Sequence, residues 1–396
     1  MTGSNFLAQG RDYLAIPGPS VIPDAVLQAM HRPSPNIYAG ELVEMMPGLT
    51  ADLRRVARTR HEVAIYIANG HGAWEAALSN VLAPGETVLV PASGLFSHGW
   101  AEMAERLGVK VELIDFGPSN PWDMDRIAQA LRADADHRIK AVLAVHVDTS
   151  SSIRNDIPAL RALLDDLNHP ALLMADCIAS LGCDRFEMDD WGVDVMVTAC
   201  QKGLMTPAGM SFVFFNDRAK GKRAAMPRVS GYWDWQPRSQ PDWFYQYFGG
   251  TAPTHHLYGL RAALDLIHAE GIEQVWARHA RLAQAVWAAC EAWAEGGALH
   301  LNVGDRAHRS HAVTALRLTE GRGTPLRSYT ERHLGLTLGI GLGMADEDSC
   351  FRLGHMGHLN GHMVMGMLGG IETAMAALEI PRGSGALEAA AAVLAG

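Results

Sequence analysis

The 396-residue sequence contains no apolar run long enough to cross a bilayer and no cluster of lysine and arginine. The first absence argues against a membrane protein. The second argues against nucleic-acid binding, as does an excess of 43 acidic over 33 basic residues. The N-terminus lacks the basic and apolar blocks of a secretory signal, and residues 394–396 are not a peroxisomal tripeptide. We therefore expect a cytoplasmic protein.

Cysteine is scarce, and the five cysteines are odd in number and form no CxxC pair. A disulfide framework is therefore not expected, and no metal site is predicted. We predict small, buried, reduced thiols at Cys177, Cys183, Cys200, Cys290 and Cys350.

Up to about residue 255, short β-branched runs alternate with amphipathic stretches. Strands are predicted at residues 63–67, 87–90, 141–145, 171–175 and 194–197, and helices over residues 73–78 and 97–107. This alternation indicates an α/β fold with a mostly parallel sheet covered on both faces. A helical pattern interrupted at Gly271 then runs over residues 256–294, followed by strands near 313–318 and 350–353. We predict an N-terminal arm (1–20), a large domain (21–270) and a small C-terminal α+β domain (271–396).

A glycine-containing turn, Asn69-Gly70-His71-Gly72, follows a predicted strand and opens a helix. Free backbone N–H groups and the positive end of the helix dipole could bind an anion there. A lone Gly-x-Gly is more often a simple tight turn, and no dinucleotide fingerprint completes it.

Two polar residues end apolar strands of the same predicted sheet. Asp176 lies where open α/β sheets bind ligands, and its carboxylate needs a partner such as a protonated ring nitrogen. A helix-capping aspartate is an equally good interpretation. Lys202 would ordinarily be a surface residue, but its neighbours are apolar, and a desolvated lysine can form a Schiff base.

Arg352 is the single cation of a later apolar strand, Cys350-Phe351-Arg352-Leu353. It is either paired within the small domain or available to bind a substrate carboxylate. Each motif alone is weak, and their order along the chain carries the interpretation.

That order resembles the class V aminotransferases among the fold-type-I pyridoxal-phosphate enzymes, with the closest likeness to serine–glyoxylate and alanine–glyoxylate aminotransferases. The resemblance extends from Pro17-Gly18-Pro19 to Gly383-Ser384-Gly385. Its most specific stretches include residues 72–78, 201–203, 258–264, 277–282 and 352–355.

The resemblance implies transamination between a small amino acid and a 2-oxo acid such as glyoxylate. Lys202 would form the Schiff base with pyridoxal phosphate and act as the general acid–base. Asp176 would keep the pyridine nitrogen protonated. Arg352 would bind the substrate's α-carboxylate.

The resemblance also implies the cofactor's other contacts and a homodimer with active sites at the subunit interface. Phe96 and Ile178 would pack on the two faces of the ring, and Thr149 would contact the region of the ring hydroxyl. The phosphate would be held from one subunit by Gly70, His71 and Gln201, and from the other by Thr251 and Tyr247.

Several positions depart from the family pattern. Cys200 replaces a frequent serine, residues 149–153 lack the usual glycine, and Gly249-Gly250 replaces bulkier residues. The two glycines are expected to loosen the pocket wall, which favours a larger or more polar donor such as aspartate or ureidoglycine.

Two other classes of function are open. A lyase such as a cysteine desulfurase needs a nucleophilic cysteine on a mobile loop. Cys350 of the small domain lies in a predicted strand. A non-catalytic binding protein would have no need for Asp176, Lys202 and Arg352 together.

Overall fold

The computed structural model describes residues 6–319 and 321–396. The strands in these ranges are β1 (Tyr13–Ala15), β2 (Glu62–Tyr66), β3 (Thr87–Ala92), β4 (Lys110–Asp115), β5 (Ile139–Val145), β6 (Val147–Asp148), β7 (Ile153–Arg154), β8 (Leu172–Asp176), β9 (Val195–Ala199), β10 (Ser211–Phe215), β11 (Leu299–Leu301), β12 (Val313–Leu318), β13 (Leu336–Ile340) and β14 (Cys350–Gly354).

The α-helices in the same ranges are α1 (Asp24–Met30), α2 (Glu41–Glu44), α3 (Met46–Val56), α4 (Gly70–Val81), α5 (Leu95–Arg106), α6 (Met124–Ala133), α7 (Ile157–Asp166), α8 (Asp217–Ala225), α9 (Gln236–Ser239), α10 (Thr254–Glu270), α11 (Ile272–Ala294), α12 (Gly323–Leu334), α13 (Gly361–Ala377) and α14 (Ala386–Ala395). Short 3-10 helices lie at Phe6–Ala8, Phe244–Phe248 and Arg306–His308.

A seven-stranded sheet in the order β2-β10-β9-β8-β5-β3-β4 forms the centre of the larger part of the molecule. The pairs β3–β4, β3–β5, β5–β8 and β8–β9 are parallel, and β10 runs antiparallel to both of its neighbours. This arrangement confirms the predicted mostly parallel α/β sheet. The carboxyl ends of β5, β8 and β9 therefore meet at one edge, where open sheets of this kind bind ligands.

Both faces of this sheet are buried, as its apolar strands require. Along β5, Val142 and Ala144 pack into one hydrophobic cluster, while Ala141, Leu143 and Val145 pack into the cluster on the opposite face. Side chains alternate between faces with a period of two, so a strand covered on both sides reads as a continuous apolar run.

A second sheet has the order β1-β13-β14-β12-β11 and a hydrophobic core of its own. Its edge strand β1 comes from the predicted N-terminal arm and runs parallel to β13, with Tyr13 opposite Leu336. The beginning of the chain is thus part of the C-terminal sheet.

The predicted strands of the large sheet correspond to β2, β3, β5, β8 and β9, each within one or two residues at most boundaries. The helical pattern with a break at Gly271 is confirmed as α10 and α11, which meet at that residue. Strands β4 and β10 were not predicted. The domain boundary near residue 270 stays a prediction.

None of the helices in residues 6–319 and 321–396 combines the length and the apolar character needed to cross a membrane.

Candidate active site

Lys202 lies in the turn after β9, against the N-terminal arm. Its Nζ donates a hydrogen bond to the Pro17 carbonyl, and the Ser20 hydroxyl donates to the Lys202 carbonyl at 2.7 Å. Gly18 approaches so closely that a Cβ there would lie 2.5 Å from Nζ. Its φ of +97° also favours glycine. The arm therefore covers part of the Lys202 side chain and limits its contact with water.

This shielding changes the acidity of the amine. Burial, with a further contribution from the nearby Arg352 cation, lowers the pKa of Lys202 to about 8, while Asp176 acts in the opposite direction. A lysine with this pKa is largely neutral at mildly alkaline pH, as a nucleophile or proton acceptor must be.

Asp176 is the last residue of β8, and its side chain is buried at 3% exposure. Its carboxylate accepts hydrogen bonds from Trp74 Nε1 at 2.8 Å and from the Ile178 backbone N–H at 2.7 Å. Burial nevertheless raises the pKa of Asp176 to about 7. No basic side chain in the described part of the chain forms a salt bridge with it, so the carboxylate lacks the cation that would offset its desolvation.

A cavity of about 270 Å³ opens between these two residues. It brings together most of the site residues predicted from sequence. Its lining consists of Gly18, Pro19, Asn69, Gly70, His71, Trp74, Phe96, Val147, Thr149, Asp176, Ile178, Ala179, Gln201, Lys202 and Ala208.

The amino end of α4 forms the polar end of the cavity. Asn69 caps this helix, since its side-chain oxygen accepts from the backbone N–H groups of His71 at 3.1 Å and Gly72 at 3.3 Å. Burial lowers the pKa of His71, whose ring lies 4.7 Å from that of Trp74. The side-chain oxygen of Gln201 is buried and has no hydrogen-bond partner among the described residues.

Arg352 lies on β14, beside the cavity rather than in its lining. Its guanidinium donates to the carbonyl oxygens of Ile340 at 2.7 Å and Thr149 at 2.8 Å, and Thr149 does line the cavity. In residues 6–319 and 321–396, no carboxylate lies within ion-pair distance of Arg352. Burial lowers its pKa to about 10, so the side chain is still cationic at neutral pH.

Two predicted residues, Tyr247 and Thr251, do not reach this cavity. Tyr247 packs partly buried against the core, and Thr251 is exposed to solvent. Gly249 and Gly250 do not line the cavity either. Gly249 ends the short helix Phe244–Phe248 with a φ of +64°, and the guanidinium of Arg238 lies against it. Gly249 thus serves a left-handed turn, and the expected loosening of the pocket wall near the subunit boundary stays a prediction.

The other departures from the family pattern also have local explanations. The Cys200 thiol donates to the Pro207 carbonyl at 2.9 Å, and Cys200 is not among the residues that line the cavity. Ser152 occupies a left-handed conformation with a φ of +63°, the kind of position that glycine usually takes. All five cysteines are buried and unpaired, as predicted.

Sequence reasoning missed Asp148, the last residue of β6, whose fully buried carboxylate lies against the amino end of α5. Its Oδ2 accepts from the backbone N–H groups of Phe96 at 2.9 Å and Ser97 at 3.1 Å, and its Oδ1 accepts from the Ser150 hydroxyl at 2.6 Å. Asp148 therefore fixes the backbone that carries the Phe96 ring. Trp74, which holds Asp176, was also missed, although it stands in one of the family-like stretches.

Comparison with known proteins agrees with this site. A serine–glyoxylate aminotransferase of Methylorubrum extorquens is 35% identical over 375 residues, which cover 92% of this chain and 91% of the relative. An L-aspartate–glyoxylate aminotransferase of Paracoccus denitrificans is 35% identical over 374 residues, with the same coverage of 92% and 91%. The solved structure of a ureidoglycine–glyoxylate aminotransferase from Bacillus subtilis superimposes with a TM-score of 0.86 at 25% identity, over 98% of this chain and 99% of that chain.

Fold and site together define a pyridoxal-phosphate-dependent transaminase of fold type I. More narrowly, residues 13–341 match the family Aminotransferase class-V, and the chain belongs to that family.

The residues of the cavity fit pyridoxal phosphate. Asp176 lacks a cation, which a protonated ring nitrogen would supply, and Lys202 offers an amine of lowered pKa for covalent attachment. Gln201, whose side-chain NH2 group can donate a hydrogen bond, and the amino end of α4 both line the cavity, where a phosphate would bind.

Proposed function

We propose that this chain transfers an amino group between a small amino acid and glyoxylate at the cavity between Asp176 and Lys202. One observation carries the proposal: three groups converge on one cavity. They are a buried carboxylate without a salt-bridge partner in the described residues, an amine with a lowered pKa, and an arginine with no carboxylate within ion-pair distance in the same residues.

Lys202 is the proposed catalytic residue. Pyridoxal phosphate, when bound, supplies an aldehyde that condenses with amines and a ring that takes up an electron pair. Burial lowers the pKa of the Lys202 Nζ to about 8, so part of the amine is neutral at neutral pH and most of it is neutral at mildly alkaline pH. In its neutral form that nitrogen would accept the proton from the substrate Cα, and in its protonated form it would act as the general acid that returns a proton.

The other cavity residues bind and orient. Asp176 would hold the ring nitrogen in its protonated form, and Phe96 and Ile178 would pack against the ring faces. Thr149 would lie near the ring hydroxyl. Gly70, His71 and Gln201 would hold the phosphate. All three line the cavity, and Gly70 and His71 belong to the first turn of α4, whose amino end favours an anion.

Arg352 is the proposed site for the α-carboxylate of both acids in turn. Its planar guanidinium has donors beyond the two used for Ile340 and Thr149, and it has no competing carboxylate among the described residues. One arginine serving two acids explains how a single site accepts the donor and then the 2-oxo acid.

We propose a small donor, such as serine or alanine. Besides Trp74, Phe96 and Ile178, the apolar lining consists of the short side chains of Pro19, Val147, Ala179 and Ala208. A second carboxylate, as in aspartate, would require another cation in the site. Relatives with serine–glyoxylate and aspartate–glyoxylate activity are similarly close in sequence, so a donor comparison is needed.

The desulfurase alternative lacks a suitable thiol. Cys350 is buried in β14, and burial raises its pKa. Cys183 lies near Lys202, but burial raises its pKa to about 12, which keeps the thiol protonated.

We further propose a homodimer in which Tyr247 and Thr251 of each subunit reach the phosphate site of the other. Both residues lie outside their own cavity, and the same segment exposes Trp243 (67%) and Tyr245 (56%), side chains that a second copy could bury. The five unpaired cysteines fit a reducing compartment, and we propose the cytoplasm.

The test is a donor panel with glyoxylate held constant, using wild type and Lys202→Ala. We expect serine or alanine to exceed aspartate, and Lys202→Ala to lose multiple turnover. Turnover by Lys202→Ala at the wild-type rate contradicts the catalytic assignment. A clear preference for aspartate contradicts the small donor alone.

A further inference from the structure

The hairpin formed by β6 and β7 connects the cavity to the second sheet. Its loop, residues 149–152, begins at Thr149, whose carbonyl accepts from Arg352 Nη1 at 2.8 Å. The loop ends at Ser152, whose hydroxyl accepts from the backbone N–H of Ala315 at 3.0 Å. This one short loop thus contacts both Arg352 and Ala315 of the second sheet.

These two points are neighbours. In the antiparallel pairing of β12 with β14, Ala315 is the direct partner of Arg352. The loop therefore holds the arginine side chain through Thr149 and the adjoining strand through Ser152. A shift of β12 away from the loop would carry β14, and with it Arg352, away from the cavity.

The backbone conformation and burial of Ser152 place its hydroxyl at Ala315. Its φ of +63° lies in the left-handed region, which disfavours side chains, and its exposed fraction is 3%. β11 ends at Leu301, and the last backbone hydrogen bond to Ala315 from this side is donated by Asn302 N–H to the Ala315 carbonyl at 3.0 Å. The N–H of Ala315 donates instead to the Ser152 hydroxyl. The hydroxyl thus supplies a buried backbone donor with its acceptor.

The other serines of the loop do not have this role. The Ser151 hydroxyl contacts only its own hairpin, at the Asp148 carbonyl (3.5 Å) and the Ile153 N–H (3.3 Å). The Ser150 hydroxyl contacts Asp148 and Leu95. Ser151 is therefore a matched control for Ser152.

We propose that Ser152 is a positioning residue for the substrate carboxylate. Its hydroxyl fixes β12, and through the Ala315–Arg352 pair it keeps the Arg352 guanidinium at Thr149 beside the cavity. This inference rests on the proposed role of Arg352 in binding the carboxylate.

The experiment compares Ser152→Ala, Ser152→Gly and Ser151→Ala as cofactor-loaded enzymes. We expect both Ser152 variants to raise KM for donor and 2-oxo acid by about fivefold, the factor of one ordinary hydrogen bond, with kcat little changed. Ser151→Ala should match wild type. Hydrogen exchange at the Ala315 amide, measured on cofactor-free protein, should be faster in the Ser152 variants only.

Ser152→Gly separates the hydrogen bond from the backbone strain. Glycine relieves the strain but also lacks the hydroxyl, so it should melt at a higher temperature than Ser152→Ala and show the same rise in KM. Unchanged KM in both Ser152 variants, or an equal rise in Ser151→Ala, overturns the proposal even if melting temperatures fall.

Arg352→Lys distinguishes this inference from the proposed function. If Arg352→Lys raises KM and adding Ser152→Gly raises it no further, Ser152 acts through the arginine. If Arg352→Lys raises KM but the Ser152 variants do not, only the positioning role fails. If Arg352→Lys leaves KM unchanged, the carboxylate site itself is wrong, and the inference falls with it.

Discussion

Asp176 should make the cofactor-free protein less stable as the pH rises. Its pKa is about 7 in the folded chain and 3.8 ordinarily, because burial disfavours the charged carboxylate. A group whose folded pKa is raised stabilises the fold below its unfolded pKa, and this contribution is lost as the pH rises through the folded pKa. The loss therefore spans the range from about pH 4 to about pH 7.

Asp176→Asn removes this titration and keeps the shape of the side chain. With the two pKa values above, wild type should lose about 2 to 3 kcal/mol relative to the variant between about pH 5 and about pH 8.5, at about 1.4 kcal/mol per unit. The asparagine cannot accept from both Trp74 and Ile178 in the same way, so the absolute stabilities will differ. The informative quantity is how the difference in free energy of unfolding between the two proteins changes with pH. Titrating groups that both proteins share cancel in this difference.

The assay is urea denaturation of cofactor-free wild type and Asp176→Asn at both pH values and one protein concentration. Addition of pyridoxal phosphate should then stabilise wild type more than the variant, because the ring nitrogen supplies the missing cation. If the free energies of unfolding of the two cofactor-free proteins change with pH in parallel, the account of Asp176 as a desolvated carboxylate is refuted.

Two further predictions concern Lys202. In cofactor-free protein, labelling of the Lys202 amine should follow an apparent pKa of about 8, because burial lowers it. Free Nα-acetyl-lysine, with a side-chain pKa of about 10.4, is the reference compound, and an identical labelling profile for Lys202 contradicts the desolvated site. Gly18→Ala should cost at least about 1 kcal/mol of stability and most of the turnover, because the added methyl meets the Lys202 side chain at a φ of +97°. Gly10→Ala, also at positive φ but in open space, is the control, and equal loss of turnover in both variants would show that the contact with Lys202 is unimportant.

The sequence predicts the centre of the site well because its residues end strands of one parallel sheet. Asp176 and Lys202 follow buried apolar runs. Parallel strands bring their carboxyl ends to one edge of the sheet, independently of the conformation of the connecting loops. The family resemblance added the cavity wall, including Phe96 and Ile178. For Tyr247 and Thr251 the resemblance predicts contacts with the phosphate site of a second subunit, which the structure of a single chain does not contain.

What sequence reasoning missed depends on contacts between distant segments. Asp148 serves the backbone of Phe96 and Ser97, about fifty positions earlier, and nothing near Asp148 in the sequence marks that pairing. Strand β1 has only three residues, too few for a periodic pattern, and becomes a strand only because β13 lies beside it. Ser152 looks like one of three equivalent serines until the fold places Ala315 against it.

The pairing of β1 with β13 also bears on how the protein is made. Tyr13 cannot find Leu336 until nearly the whole chain has been synthesised, so the first strand waits unpaired while the large sheet forms. The arm that carries Pro17 and Gly18 to Lys202 is anchored by this last pairing. The amine of the active site thus reaches its final surroundings only when β1 and β13, which are far apart in the sequence, have paired.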